Sequence, residues 1–117
     1  LEKITKSADK SKGTIMVGYN RRFSSHIDKV LEFTKARKSP IIINYRINAK
    51  PLPADHWFFD VNQGGGRINS ESCHFIDLSN YIINSKVVSI KAEPMKNPYS
   101  EIPDEDTFVF IIRYFFC

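Results

Sequence analysis

The chain has 117 residues, 42% of them hydrophobic, with 17 basic against 13 acidic side chains for a net charge of +4. That length suits one small domain or a piece of a larger one, since domains commonly run about 100–150 residues, and the mild positive bias raises the odds of an anionic partner without naming it. Two cysteines, Cys73 and Cys117, suggest no disulfide framework and place the expected home in a reducing cytoplasm. No apolar run approaches the roughly 18 residues of a membrane span, and the lysine-rich start lacks the apolar core of a secretory signal. The chain is therefore expected to be soluble and to fold without disulfide staples.

In chain order, Leu1, Ile4 and Ala8 recur at helical spacing and Gly13 supplies a stop, so residues 1–11 read as the last turns of a helix. Thr14 to Tyr19 is a short apolar run of strand length with a polar exit at Asn20-Arg21-Arg22. Ser24 or Ser25 can cap a second helix, whose Ile27, Val30, Leu31 and Thr34 share a face and whose Lys35, Arg37 and Lys38 suit its negative end. After Pro40, Ile41 to Asn48 alternates in its second half as a half-exposed strand does. A long segment from Ala49 to Gly66 follows, and long loops in compact domains are often functional. Residues 69–84 form the second strong helix. Val87 to Glu93 and Asp106 to Phe116 complete the pattern as strands, joined by a loop carrying Pro94, Pro98, Pro103 and the acidic Glu101, Asp104, Glu105 and Asp106. The opening on Leu1 and the closing on an apolar strand suggest an excerpt of a longer protein.

The chemistry concentrates where Gly64-Gly65-Gly66 feeds the helix carrying His74. Ser70 and Glu71 lie four and three residues before that histidine and Asp77 three after it, so all can approach one helix face. An imidazole near a carboxylate can exchange a proton with a substrate hydroxyl, and local hydrogen bonding within the helix accounts for the same pattern. Asn20, Arg21 and Arg22 follow a strand-like run at the place where open α/β sheets hold ligands. They line a cofactor or substrate cleft, or they form ion pairs between domains. His56 and Trp57 can close over a sugar ring, and Trp57 can equally fill the loop core. With neither a Cys-x-x-Cys pair nor a His-x-x-x-His helix, no metal site is expected.

Val17-Gly18-Tyr19-Asn20-Arg21-Arg22-Phe23, Ile43-Asn44-Tyr45-Arg46, Pro51-Leu52-Pro53-Ala54-Asp55-His56-Trp57 and the segment from Gly64 to Leu78, in that order, resemble the glucose–fructose oxidoreductase / inositol dehydrogenase / MocA family of nicotinamide-dependent sugar oxidoreductases. The resemblance covers nearly the whole chain. It implies an α+β fold with an open, mostly antiparallel sheet and helices on one face, preceded by the last helix and strand of a Rossmann domain. Residues 1–23 would end that dinucleotide-binding domain, and residues 24–117 would be the substrate-binding and oligomerisation domain, cut before its final strands. NAD or NADP would be held mainly by the upstream part, where the family also keeps its glycine fingerprint and a Glu-Lys-Pro segment. The triple glycine at 64–66 lacks the Gly-x-Gly-x-x-Gly spacing.

By the same resemblance His74 exchanges a proton with the sugar hydroxyl while hydride moves to or from the nicotinamide. Many family members have an aspartate where this chain has Ser70, which makes Glu71 the acidic partner. Its neighbouring position rotates it by about 100° around a regular helix. Asn20, Arg21 and Arg22 are the expected cofactor contacts and His56, Trp57 and Asp77 the expected substrate contacts, with a sugar-like substrate and a homo-oligomer through the open sheet as the expected partners. Neither a membrane nor a nucleic acid is expected. Two other readings stay open: a non-catalytic interaction fragment of the same fold, and a small basic nucleic-acid-binding domain prompted by a pI near 9.1. Against the latter, the aromatics gather in the C-terminal strand instead of alternating with Lys and Arg.

Overall fold

A computed structural model describes residues 2–60, 62–95 and 107–115. The acidic segment expected as a loop at 101–106 lies outside the described residues. Three α-helices, α1 (Glu2–Asp9), α2 (Ser25–Lys35) and α3 (Cys73–Ile83), precede an antiparallel pair of strands, β1 (Val87–Pro94) and β2 (Phe108–Tyr114). The fold class is therefore α+β, with an antiparallel sheet following the helices.

Helix α3 is the centre of the molecule because its apolar residues return at helical spacing. Among the described residues Leu78, Ile82 and Ile83 are the buried apolar side chains, at 2%, 6% and 9% exposure. Asn84 ends the helix in the left-handed conformation at φ 50°, and its N–H donates to the Asn80 carbonyl. Helix α2 runs alongside, and Arg37 just beyond it donates to the carbonyls of Thr34 and Ile83, satisfying one orphan acceptor at the end of α3. Ser24 occupies the N-cap position of α2 with extended backbone, yet its hydroxyl makes no cap bond.

In the sheet, Ile90 faces Ile112, Ala92 faces Phe110 and Pro94 faces Phe108, with an irregularity between Val87 and Ser89. Strand β2 alternates as its sequence requires: Phe108, Phe110, Ile112 and Tyr114 are half-buried while Val109, Ile111 and Arg113 are exposed. The sheet is tied to α3 by the Tyr114 hydroxyl, which donates to Asn80 Oδ1 at 2.8 Å, and burial pushes that phenol's pKa up. Strand β1 is exposed throughout.

Two expected strands do not form. Residues 14–19 join no ladder, with Ile15, Met16 and Val17 exposed, and residues 41–48 likewise form no regular element. Strand composition becomes a strand only where a second backbone meets its N–H and C=O groups, and among the described residues none does. A radius of gyration of 17.1 Å, against about 13 Å for a compact chain of this length, reflects the same uncovered surface. Among the described residues no helix is long and apolar enough to cross a membrane.

Candidate active site

The segment entering α3 is wound wider than a regular helix. Ile68–Ser72 forms a π turn, a rare element that recurs at functional sites. It follows Gly65 and Gly66, which hold φ values of +68° and +79°, a region that L side chains resist. The extra residue in the turn changes the angular spacing, so Ser70 and Glu71 both line a cleft of about 410 Å³ together with His74. The remaining walls are Asn20 and Arg21 from the 3-10 turn Asn20–Phe23, and Phe58 from the 3-10 turn Trp57–Phe59. The volume falls within the roughly 300–1,000 Å³ typical of small-molecule sites. A separate hollow of about 440 Å³ between α1 and the following loop, lined by residues such as Ile4, Ala8 and Ile15, contains no histidine, carboxylate or arginine.

Three residues before α2 fasten themselves to three on α3. The Tyr19 ring meets His74 edge-on, with centroids 5.5 Å apart. The Arg21 guanidinium lies 4.2 Å from the Phe75 ring centroid, and Phe75 packs on Tyr45 at 5.1 Å. Arg22 forms a two-pronged ion pair with Asp77, its Nε donating to Oδ2 at 2.6 Å and its Nη2 to Oδ1. That pairing, chiefly through the hydrogen bonds to Asp77, raises the already high arginine pKa. Asp77 is 8% exposed, so both of its oxygens face an arginine instead of the cleft.

Glu71 is also held by an arginine. Arg67, 6% exposed, donates to Glu71 Oε2 at 3.0 Å and to the Lys50 carbonyl at 2.6 Å. No hydrogen bond joins His74 to either carboxylate, and His74 Nδ1 is shielded from solvent with no partner among the described residues. The Ser70 hydroxyl donates to the Gly66 carbonyl at 2.9 Å, which leaves its lone pairs as acceptors.

His56 and Trp57 stand apart from the cleft walls. The Nδ1 of His56 accepts from the Phe58 N–H at 3.2 Å, its ring stacks on Trp57, and Trp57 is 53% exposed. Phe58 is the aromatic side chain that reaches the cleft, which residue composition alone did not single out. Its signal is the glycine that follows: a Cβ at Gly64 would sit 2.5 Å from Phe58 Cα and carbonyl oxygen, so the glycine loop must press against this turn. Tyr19 and Arg67 were likewise not singled out. Among the described residues no group of three His, Cys, Asp or Glu is placed to hold a metal ion.

The antiparallel sheet follows a helix whose His74 lines a polar cleft. Residues 40–115 match the GFO/IDH/MocA C-terminal domain, and the chain belongs to that family of oxidoreductases. A relative in Bacillus subtilis (strain 168), the uncharacterized oxidoreductase YrbE, is 29% identical over 105 residues, or 86% of this chain. The aligned region covers 30% of that relative. No solved structure matches the chain.

Proposed function

We propose that this chain is the C-terminal part of a nicotinamide-dependent oxidoreductase acting on a hydroxyl of a sugar, cyclitol or sugar derivative, with residues 1–23 completing the dinucleotide-binding domain. The observation that carries this reading is His74 Nδ1, buried without a partner beside a cleft of about 410 Å³. Leaving such an atom unsatisfied costs about 1–3 kcal/mol, and such exceptions call for a functional explanation. With no protein group fixing the tautomer, the ring can take a hydroxyl proton or return one.

The cleft's donor set suits the reacting end of such a complex. Asn20 and Arg21 face the cleft, NAD or NADP would be held mainly by the upstream domain, and no described loop has the spacing to cradle its phosphates. The nicotinamide supplies or accepts the hydride. What the chain does is handle the proton: as the carbinol carbon gives up hydride, its O–H proton passes to the His74 imidazole, and reduction runs the transfer backwards. Glu71, fixed by Arg67, and the Ser70 lone pairs accept hydrogen bonds from neighbouring hydroxyls and orient the ring.

The test is a screen of sugars and cyclitols with NAD and NADP, using the full-length protein and its His74→Ala variant. Loss of acid–base help should lower kcat by about 100- to 10,000-fold while cofactor affinity stays close to wild type. Turnover unchanged by the substitution would refute the assignment.

A further inference from the structure

The consecutive arginines 21 and 22 have separate roles. Arg22 is closed off by its two bonds to Asp77 and by the Tyr81 ring at 5.2 Å. The Arg21 side chain makes no ion pair or hydrogen bond among the described residues, and its guanidinium stacks on the Phe75 ring at 4.2 Å. Stacking engages the flat face of a guanidinium and leaves the N–H donors along its edge available, the geometry that matches carboxylate and phosphate oxygens in pairs. Phe75 is itself braced by Tyr45, so the plane is set before a ligand arrives.

The surrounding charge points the same way. Glu71 is the carboxylate lining the cleft, and Arg67 neutralises it at 3.0 Å. Asp77, the next acid along α3, is neutralised by Arg22. Arg21 is left as the uncompensated cation of a cleft that also holds the unpartnered His74.

We infer that Arg21 anchors a carboxylate or phosphate carried by the sugar ligand, so that the molecule presenting its hydroxyl to His74 is an acidic sugar derivative in preference to a neutral sugar or cyclitol. This inference rests on the reading of the cleft as a substrate site. Arg21 donates from its edge to two oxygens of the anionic group, with the Asn20 amide alongside, while the hydroxyl-bearing end lies toward His74, Ser70 and Glu71. A charge-assisted bidentate contact of this kind is worth about tenfold to a hundredfold in affinity.

The experiment is calorimetric titration of the full-length protein with glucuronate, glucose 6-phosphate and glucose, repeated for Arg21→Gln and Arg21→Lys. Wild type should bind at least one of the anionic probes about tenfold or more tightly than glucose. Arg21→Gln should abolish the preference and Arg21→Lys should retain part of it, having the charge without the paired edge. If Arg21→Gln fails to fold, the partial loss in Arg21→Lys decides the matter. Equal binding of charged and neutral probes, no measurable binding of either anionic probe, or a preference that survives both substitutions would overturn the inference. So would a loss of NAD or NADP affinity in Arg21→Gln with the sugar preference intact, because the anion would then be the cofactor's. An anion preference without nicotinamide-linked oxidation sinks the hydride-transfer reading and leaves the anion site standing. Turnover of neutral sugars alone, undiminished in Arg21→Gln, does the reverse.

Discussion

Replacing Gly64 by alanine should damage both stability and the cleft, through a single contact. The added Cβ would stand 2.5 Å from Phe58 Cα, 2.5 Å from the Phe58 carbonyl oxygen and 2.7 Å from the Trp57 carbonyl oxygen. Carbon atoms rest at about 3.5–4.0 Å, so the glycine loop and the Trp57–Phe59 turn must separate by about 1 Å. Every opposing atom belongs to the backbone, and no side chain can swing aside. Overpacking of this kind costs about 1–3 kcal/mol, with the rigid opposition favouring the upper half.

Phe58 forms part of the cleft wall, so the displacement also reaches the site, where a 1 Å misplacement can cost on the order of a hundredfold in rate. Gly66→Ala is the control. Its Cβ meets nothing within 4 Å, but the residue sits at φ +79°, so the cost of about 1–2 kcal/mol comes from backbone strain and leaves Phe58 in place. Urea unfolding of the full-length protein and of both variants measures the stabilities, and titration with a cleft ligand measures the wall. Gly64→Ala within about 0.5 kcal/mol of wild type, or equal loss of ligand affinity in the two variants, would refute this reasoning.

Asp60 has its carboxyl pKa lowered, first by the Asn62 N–H and then by the Gln63 amide. A depressed folded-state pKa gives stabilisation that is present above the unfolded value of 3.8 and is lost as pH falls through the lower folded one. Emission of Trp57, the one tryptophan of the 117 residues, should therefore show an acid transition of the loop below pH 3.8 that disappears in Asp60→Asn; an identical transition in the variant would assign the change elsewhere. Val88, Ile90, Val109 and Ile111 are each at least 48% exposed on the two-stranded sheet, so the 117-residue chain alone should self-associate at tens of micromolar, roughly the range where open edges aggregate. Light scattering should show Ile111→Lys reducing the association, and a monodisperse wild-type monomer would refute the argument.

Helices were the legible part of this sequence, because each carries its own hydrogen bonds and its apolar spacing records which side is covered. The expectation of helix over 69–84 met a π turn at Ile68–Ser72 and α3 at Cys73–Ile83, and the strands expected at 87–93 and 106–116 appear at Val87–Pro94 and Phe108–Tyr114. Runs 14–19 and 41–48 carry equally good strand composition but no local instruction about a partner. Composition encodes willingness to pair, and pairing itself is a property of a second backbone.

The site divides along the same line. A histidine after three glycines is visible in one dimension, and so are two acids at helical spacing from it. Spacing cannot say who reaches those acids first. Arg67 comes up the same helical segment to Glu71, four residues away, while Arg22 crosses 55 positions of sequence to reach Asp77. Each acid that periodicity offers to His74 is thereby matched to a cation, and the imidazole is left with an unsatisfied nitrogen. The partition of Arg21 and Arg22 follows from the same geometry: the 3-10 turn directs Arg22 to the buried Asp77 and Arg21 to the Phe75 ring. A charge that ends on a ring still has its hydrogen-bond donors to give, and that distinguishes a residue able to meet a ligand from one already engaged in holding the fold.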